Sequence, residues 1–153
     1  MVRCLLAMGL LSSSLTFGQT NVLTLGKIPT VKAKLGSTVT VKVPLQVRLG
    51  YHVNSNTPSD KYLVPLKVTW EKGMLASTDV IFPKPSLETY KFQATPLSVF
   101  SGTFEITTKF KVAPTAPVGP MAMSGTVSYQ ACNDRECLQP AKLPVTLQVD
   151  IVR

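Results

Sequence analysis

The sequence predicts an all-β chain, an immunoglobulin-like sandwich of two antiparallel sheets. Three observations lead there. Apolar residues recur at every second position through successive long windows, and no window carries a helical stripe. The 12 prolines and 9 glycines fall mostly between those windows. Alternation with period two marks a strand with one face buried and the other in water. Seven or eight such strands at short spacing fit two sheets packed face to face. A length of 153 residues suits one domain with a real core, and neither an internal repeat nor a dividing linker is visible.

The elements can be justified in chain order. Arg3, the apolar run from Cys4 to Leu11, and the small residues around Thr16-Phe17-Gly18 have the layout of a secretory signal peptide over residues 1–18, cut near Gly18-Gln19. The apolar run is far shorter than the roughly 20 residues of a membrane span, so the mature chain, residues 19–153, is expected to be exported without one. Short strands are expected at Val22–Leu25 and Val31–Leu35. From Thr38 to Leu49, Val39, Val41, Val43, Leu45, Val47 and Leu49 share one face and polar residues the other. Pro44 cannot donate to a ladder, which predicts an edge or a bulge there, and an exposed edge so blunted favours a monomer. Val64, Leu66, Val68 and Trp70 make the next run, with Trp70 read as core. Val80–Phe82 is a shorter candidate. Phe104–Val112, Met121–Gln130 and Leu143–Ile151 complete the pattern.

Charge narrows the partners. The formal charge of +8 falls by one with Arg3, and the lysines are scattered. Lys32, Lys34, Lys42, Lys67, Lys109 and Lys111 each alternate with apolar neighbours, as on a solvated sheet face. No basic cluster interleaved with aromatics suggests nucleic acid. Hydrolytic chemistry is not expected: His52 is the only histidine, and neither a glycine-rich phosphate loop nor a serine elbow is present. Beside Asn54 and Asn56 at the mouth of a loop, His52 is expected to make structural hydrogen bonds or, less simply, to influence the cysteines.

Loss of Cys4 with the signal peptide leaves two cysteines, and an even pair in an exported protein reads as a disulfide. In Ala131-Cys132-Asn133-Asp134-Arg135-Glu136-Cys137, four turn-prone residues separate the pair. A four-residue hairpin loop would set Cys132 against Cys137 across the first ladder pair, with Cα atoms about 4.5 Å apart. Two readings stay open. One is a structural staple, though a loop of about six residues contributes only roughly 2 kcal/mol. The other is an exposed bridge that exchanges with thiols. Asp134 and Glu136 outnumber Arg135, so the loop should not strongly acidify a thiol. Met121 and Met123 share a strand face with Val127 and Tyr129 and read as core. A Cu(I) site joining them to Cys132 and Cys137 is the alternative, weakened by the opposite strand parity of Cys132. No metal or organic cofactor is expected.

The segment Ala131–Pro140 resembles the redox hairpin of the N-terminal periplasmic domain of the DsbD family of thiol:disulfide interchange proteins. Tyr51-His52-Val53-Asn54-Ser55-Asn56, Phe82-Pro83-Lys84-Pro85 and the Val99–Phe104 region with Gly102 resemble further family signatures, so the likeness spans nearly the whole mature chain. It implies an immunoglobulin-like fold and a Cys132–Cys137 pair that shuttles between dithiol and disulfide, a protein-disulfide reductase type of relay. By the same resemblance Cys137 attacks the acceptor and Cys132 resolves the mixed disulfide. Donors would be a membrane-embedded electron transporter or a thioredoxin-like protein, and acceptors would be periplasmic thiol–disulfide proteins. An aromatic cap loop is also implied, with Tyr90 or Phe92 as candidates and His52 and Tyr129 as weaker neighbours. Three departures stand out. Gln139 replaces a usual proline, four residues separate the cysteines where the enterobacterial type of the family has five, and nothing in these residues matches the family's transmembrane or thioredoxin-like domains, so a donor in trans is expected. The competing class is a binding or structural sandwich that keeps the disulfide as a staple.

Overall fold

A computed structural model describes residues 21–153 except Phe92. The expected signal peptide, its cleavage point near Gly18 and Cys4 lie outside the described residues, as does Phe92. Twelve strands are described: β1 (Leu23–Leu25), β2 (Val31–Lys34), β3 (Thr38–Val47), β4 (His52–Asn54), β5 (Lys67–Trp70), β6 (Leu75–Ile81), β7 (Ser86–Glu88), β8 (Leu97–Phe100), β9 (Thr103–Val112), β10 (Gly119–Tyr129), β11 (Ala131–Cys132) and β12 (Ala141–Val152). No helix occurs among the described residues, and none is long and apolar enough to cross a membrane.

The long alternating windows became the two large sheets. One has the order β1-β3-β9-β6 and the other β2-β12-β10-β5. All pairings are antiparallel except β2 with β12, which run parallel. Val41, Val43, Leu45, Ile106 and Phe110 from the first sheet share one core with Val127, Val145, Leu147, Val149 and Ile151 from the second. Burying each such side chain contributes about 1.5–3 kcal/mol before chain entropy is charged against it. The intervening Lys42 and Lys109 point outward and meet Glu105 and Asp79 at 3.1 and 3.4 Å. Exposed pairs of this kind contribute under about 1 kcal/mol.

A third, shorter sheet, β11-β4-β8-β7, extends this all-β sandwich and carries the cysteine region. The chain leaves β3 for it near Gly50 (φ 83°) and returns into β9 at Gly102 (φ 63°), both in the left-handed region that favours glycine. Gly102 O also accepts from Val47 N at 2.8 Å, which pins the junction.

Two local expectations are corrected. Leu49, read as an inward residue, is 98% exposed, because β3 ends at Val47 and the turn begins there. β3 is not an edge strand, since it lies between β1 and β9. Pro44 is tolerated because its nitrogen faces the β1 side just beyond Leu25, where that strand has ended and only its carbonyl is used, by Gly26 N at 2.8 Å.

Trp70 packs edge-on against Phe110 at 5.1 Å, and its Nε1 donates to the buried Thr108 Oγ1 at 3.2 Å. Across the ladder it faces Gly125, where an added Cβ would stand 2.3 Å from the indole. Gly125→Ala is therefore expected to destabilise the protein by about 1–3 kcal/mol through overpacking. A lowered urea midpoint checks this. Met123 is buried in the main core with Met121 packed against it, six residues along an extended strand from Tyr129. At 3.4 Å per residue that is about 20 Å, so the methionines serve the far end of the sandwich.

Candidate functional site

The site is built where β10 gives way to β11. After Tyr129 the chain crosses from the second sheet to the third, and β11 pairs with β4, setting Ala131 against Val53 and Cys132 against His52. Beyond Cys132 it turns back at once. Leu138 N donates to Ala131 O at 2.8 Å and Asn133 N to Glu136 O at 2.9 Å. These bonds flank the bridge between Cys132 and Cys137, which makes the two cysteines a non-hydrogen-bonded pair, the closest approach an antiparallel ladder offers. Their Cα atoms are 3.9 Å apart and the sulfurs are joined at 1.98 Å. The four-residue loop is closed by Asn133 Oδ1, which accepts from Arg135 N at 2.8 Å and Glu136 N at 2.9 Å. An Asn at the first loop position is chosen for this use of its side chain.

The two cysteines differ in access. Cys132 is fully buried against the third sheet, whereas Cys137 is exposed. Gln130 secures the base of the hairpin. Its Oε1 accepts from Asn54 Nδ2 at 3.2 Å and Val64 N at 3.1 Å, and its Nε2 donates to Leu138 O at 3.2 Å. Asn54 Nδ2 also donates to Val64 O at 3.1 Å.

Opposed residues on neighbouring strands share a face, so His52, Cys132 and Cys137 form one row across β4, β11 and the returning strand. Tyr90 covers that row at His52, with ring centroids 4.3 Å apart and planes 30° from parallel. The Tyr90 hydroxyl donates to Glu88 Oε2, and Ser101 Oγ donates to Glu88 Oε1 at 3.0 Å. Burial pulls the His52 imidazole below its ordinary pKa of 6.5, outweighing the Glu88 charge, which pulls the other way. Burial, the Glu88 hydrogen bond and the Glu88 charge all push the Tyr90 hydroxyl up, so it stays protonated.

The depressed His52 pKa has a consequence for stability. Below 6.5 the unfolded chain takes up a proton that the folded chain resists, so stability is full above that pH and lost as pH falls. A lower melting temperature at about pH 5 than at about pH 7.5 is expected, with that part of the slope removed in His52→Gln. Thermal scans of both proteins across this range check it.

Of the residues expected at the site, Cys132, Cys137, His52 and Tyr90 come together. Tyr129 is placed differently: it is buried in the main core and lines, with Ala131 and Leu138, an open cleft of about 400 Å³ behind the hairpin. His52 lies in a strand rather than at a loop mouth. Its Nε2 makes no hydrogen bond among the described residues, contrary to the structural bonding expected of it. Gln130, Glu88 and Ser101 were not singled out by sequence. The available signal for Gln130 was a polar residue between the apolar Tyr129 and Ala131. Glu88 and Ser101 offered none. Among the described residues no cluster of three or more histidine, cysteine or acidic side chains is placed to hold a metal ion.

No family model matches this chain, and no curated protein matches it in sequence. Solved structures do match in shape. The N-terminal periplasmic domain of ScsB from Proteus mirabilis is similar over 84% of this chain and 44% of that one, at 14% identity and a TM-score of 0.52. The reduced N-terminal domain of DsbD from Neisseria meningitidis is similar over 72% of this chain and 77% of that one, at 14% identity and a TM-score of 0.47. A type I cohesin from Pseudobacteroides cellulosolvens gives 14% identity and 0.46 over 85% of this chain and 92% of that one. At these identities the likeness is one of fold, carried by the ScsB superposition. The chain has an all-β, immunoglobulin-like fold of the kind that periplasmic domain adopts.

Proposed function

We propose that this chain is a periplasmic thiol–disulfide exchange domain that relays reducing equivalents through Cys132 and Cys137. The observation that carries the reading is the unequal access of the two sulfurs within one hairpin. An incoming thiolate reaches only Cys137, and Cys132 leaves into a buried row beneath Tyr90. In the reduced state the order reverses: Cys137 attacks a partner's disulfide and Cys132 resolves the mixed disulfide. Tyr90, stacked on His52 in the same row, would serve as the aromatic cap on the third-sheet side.

The fold supports this reading through its likeness to the periplasmic domain of ScsB, and periplasmic residence is taken from the same likeness. A dithiol protein, thioredoxin-like or membrane-embedded, would serve as donor, and proteins bearing reducible disulfides as acceptors. A staple would be a poor use of this bridge. The sequence separation is 5, the hairpin bonds already hold the two strands together, and so short a loop gains only about 2 kcal/mol.

Trapping tests the proposal. Cys132→Ala, incubated with a thioredoxin-like protein that keeps a single active-site cysteine, activated as its mixed disulfide with thionitrobenzoate, is expected to expel thionitrobenzoate and accumulate a protein mixed disulfide at Cys137. Cys137→Ala is expected to accumulate none. Equal trapping by both variants, or by neither, would contradict the assignment of entry through Cys137.

A further inference from the structure

We propose that His52 is the proton acceptor for Cys132: on reduction the Cys132 thiol donates to His52 Nε2, and Nε2 takes that proton when Cys132 attacks. The hydrogen bond is argued from the β4–β11 register and the unpartnered Nε2, whereas the proton transfer rests on the exchange function proposed above.

The observation is an orphan. His52 is 2% exposed, and its Nε2 is buried with no hydrogen-bond partner among the described residues. Buried polar atoms are rarely left so, and each one asks for a cause. Here the cause is the oxidation state of the neighbour. Cys132 sits directly opposite His52 in the β4–β11 ladder, on the same face, and is fully buried. Cβ atoms so placed stand about 5 Å apart. As half of a disulfide, Cys132 Sγ has no hydrogen to give. Reduction adds one, beside an acceptor that lacks a donor.

The surroundings keep the acceptor available. Burial favours the neutral imidazole, and the proposal requires its proton on Nδ1, which leaves the Nε2 lone pair open. Tyr90 stacks on the ring and fixes its plane. The groups facing His52 are Cys132 from β11, Tyr90 from the segment after β7, and Glu88 of β7, the charge whose field reaches the ring.

The exchange balances with a partner dithiol as reductant. Its thiolate bonds to Cys137 Sγ, the bond between Cys137 and Cys132 breaks, and the electron pair goes to Cys132, which is protonated beside Nε2. The partner's second thiolate then closes the partner disulfide and releases Cys137, so the two partner protons end on the two cysteines. In the opposite direction Nε2 takes the Cys132 proton, Cys132 attacks Cys137 Sγ of the mixed disulfide, and the departing partner thiolate receives the proton.

Because His52 is the only histidine, its ring nitrogens can be followed by NMR without assignment by mutation. In the oxidised protein Nε2 is expected to show the nitrogen shift of a free acceptor, moving to that of a hydrogen-bonded acceptor after reduction with a phosphine. An unchanged shift, or a proton on Nε2 in the oxidised form, overturns the proposal. A second reading uses His52→Phe, which keeps the stacked ring and loses the acceptor. Its equilibrium constant for reduction by glutathione is expected to fall about tenfold, equivalent to about 30 mV for two electrons, with partial recovery in His52→Gln. A potential identical in wild type and His52→Phe also overturns it. If the wild-type disulfide resists glutathione altogether, the exchange function fails, while the phosphine-reduced spectra still decide the hydrogen bond.

Discussion

In the reduced protein, alkylation at Cys137 is expected to run at least about 100-fold faster than at Cys132. The expectation comes from access. Cys137 is exposed at the end of a four-residue loop, whereas Cys132 is fully buried between the hairpin and β4. Reaching Cys132 requires β11 to part from β4, a local opening whose cost scales with the contacts broken. An opening cost of about 3 kcal/mol already gives a 100-fold difference, at about 1.4 kcal/mol per tenfold. The loop itself opposes any compensating rise in reactivity, because Asp134 and Glu136 flank Arg135 and leave no net positive charge beside the thiols. Quenched alkylation with mass spectrometry of the two cysteine peptides reads both rates in one sample. Comparable rates would mean that the hairpin peels away as soon as the disulfide is broken, and the division of roles between the sulfurs would be lost.

Gln130→Ala is expected to destabilise the protein by about 2–3 kcal/mol and to loosen the hairpin. One amide side chain serves three partners, Asn54 Nδ2, Val64 N and Leu138 O. These belong to β4, to the segment before β5, and to the strand returning from the cysteines. Each hydrogen bond is worth about 1 kcal/mol net, and leaving a buried partner unmade costs about 1–3 kcal/mol. Asn54 is fully buried and already has Oδ1 without a partner, so it has little room to find a substitute. Denaturant unfolding gives the loss of stability, and amide exchange at Leu138 gives the loosening. A change below about 0.5 kcal/mol would show that water replaces the side chain and that the hairpin holds itself.

The two large sheets were legible in the sequence because each of their long strands is buried on one face only. Thr38–Val47, Thr103–Val112 and Ala141–Val152 all keep strict alternation and all sit in the expected places. The third sheet was not legible, for physical reasons. Leu97–Phe100 and His52–Asn54 are buried on both faces, which erases the period, and Ser86–Glu88 is too short to show one. Leu49 was misplaced because alternation continues one residue pair past the point where the turn takes over. The parallel pairing of β2 with β12 has no signature, because β2 is only four residues long.

The site divides along the same line. The Cys132–Cys137 bridge follows from the spacing of four turn residues, a local matter. Tyr90 was named as a cap residue, and the structure stacks it on His52. The placing of His52 opposite Cys132 depends on the register of β11 against β4, and the reach of Glu88 to Tyr90 and Ser101 depends on β7. Neither register can be read from a chain whose third sheet is invisible to periodicity.

The central claim is that the Cys132–Cys137 disulfide is an exchange centre and not a staple, and its reduction potential tests that most directly. The purified protein is equilibrated against glutathione mixtures and the fraction reduced is read by thiol labelling. A potential between about −180 and −270 mV, the range of proteins that exchange disulfides, is the result expected. A value below about −300 mV, or cysteines that stay oxidised while the protein remains folded, would contradict it and leave the bridge a structural tie.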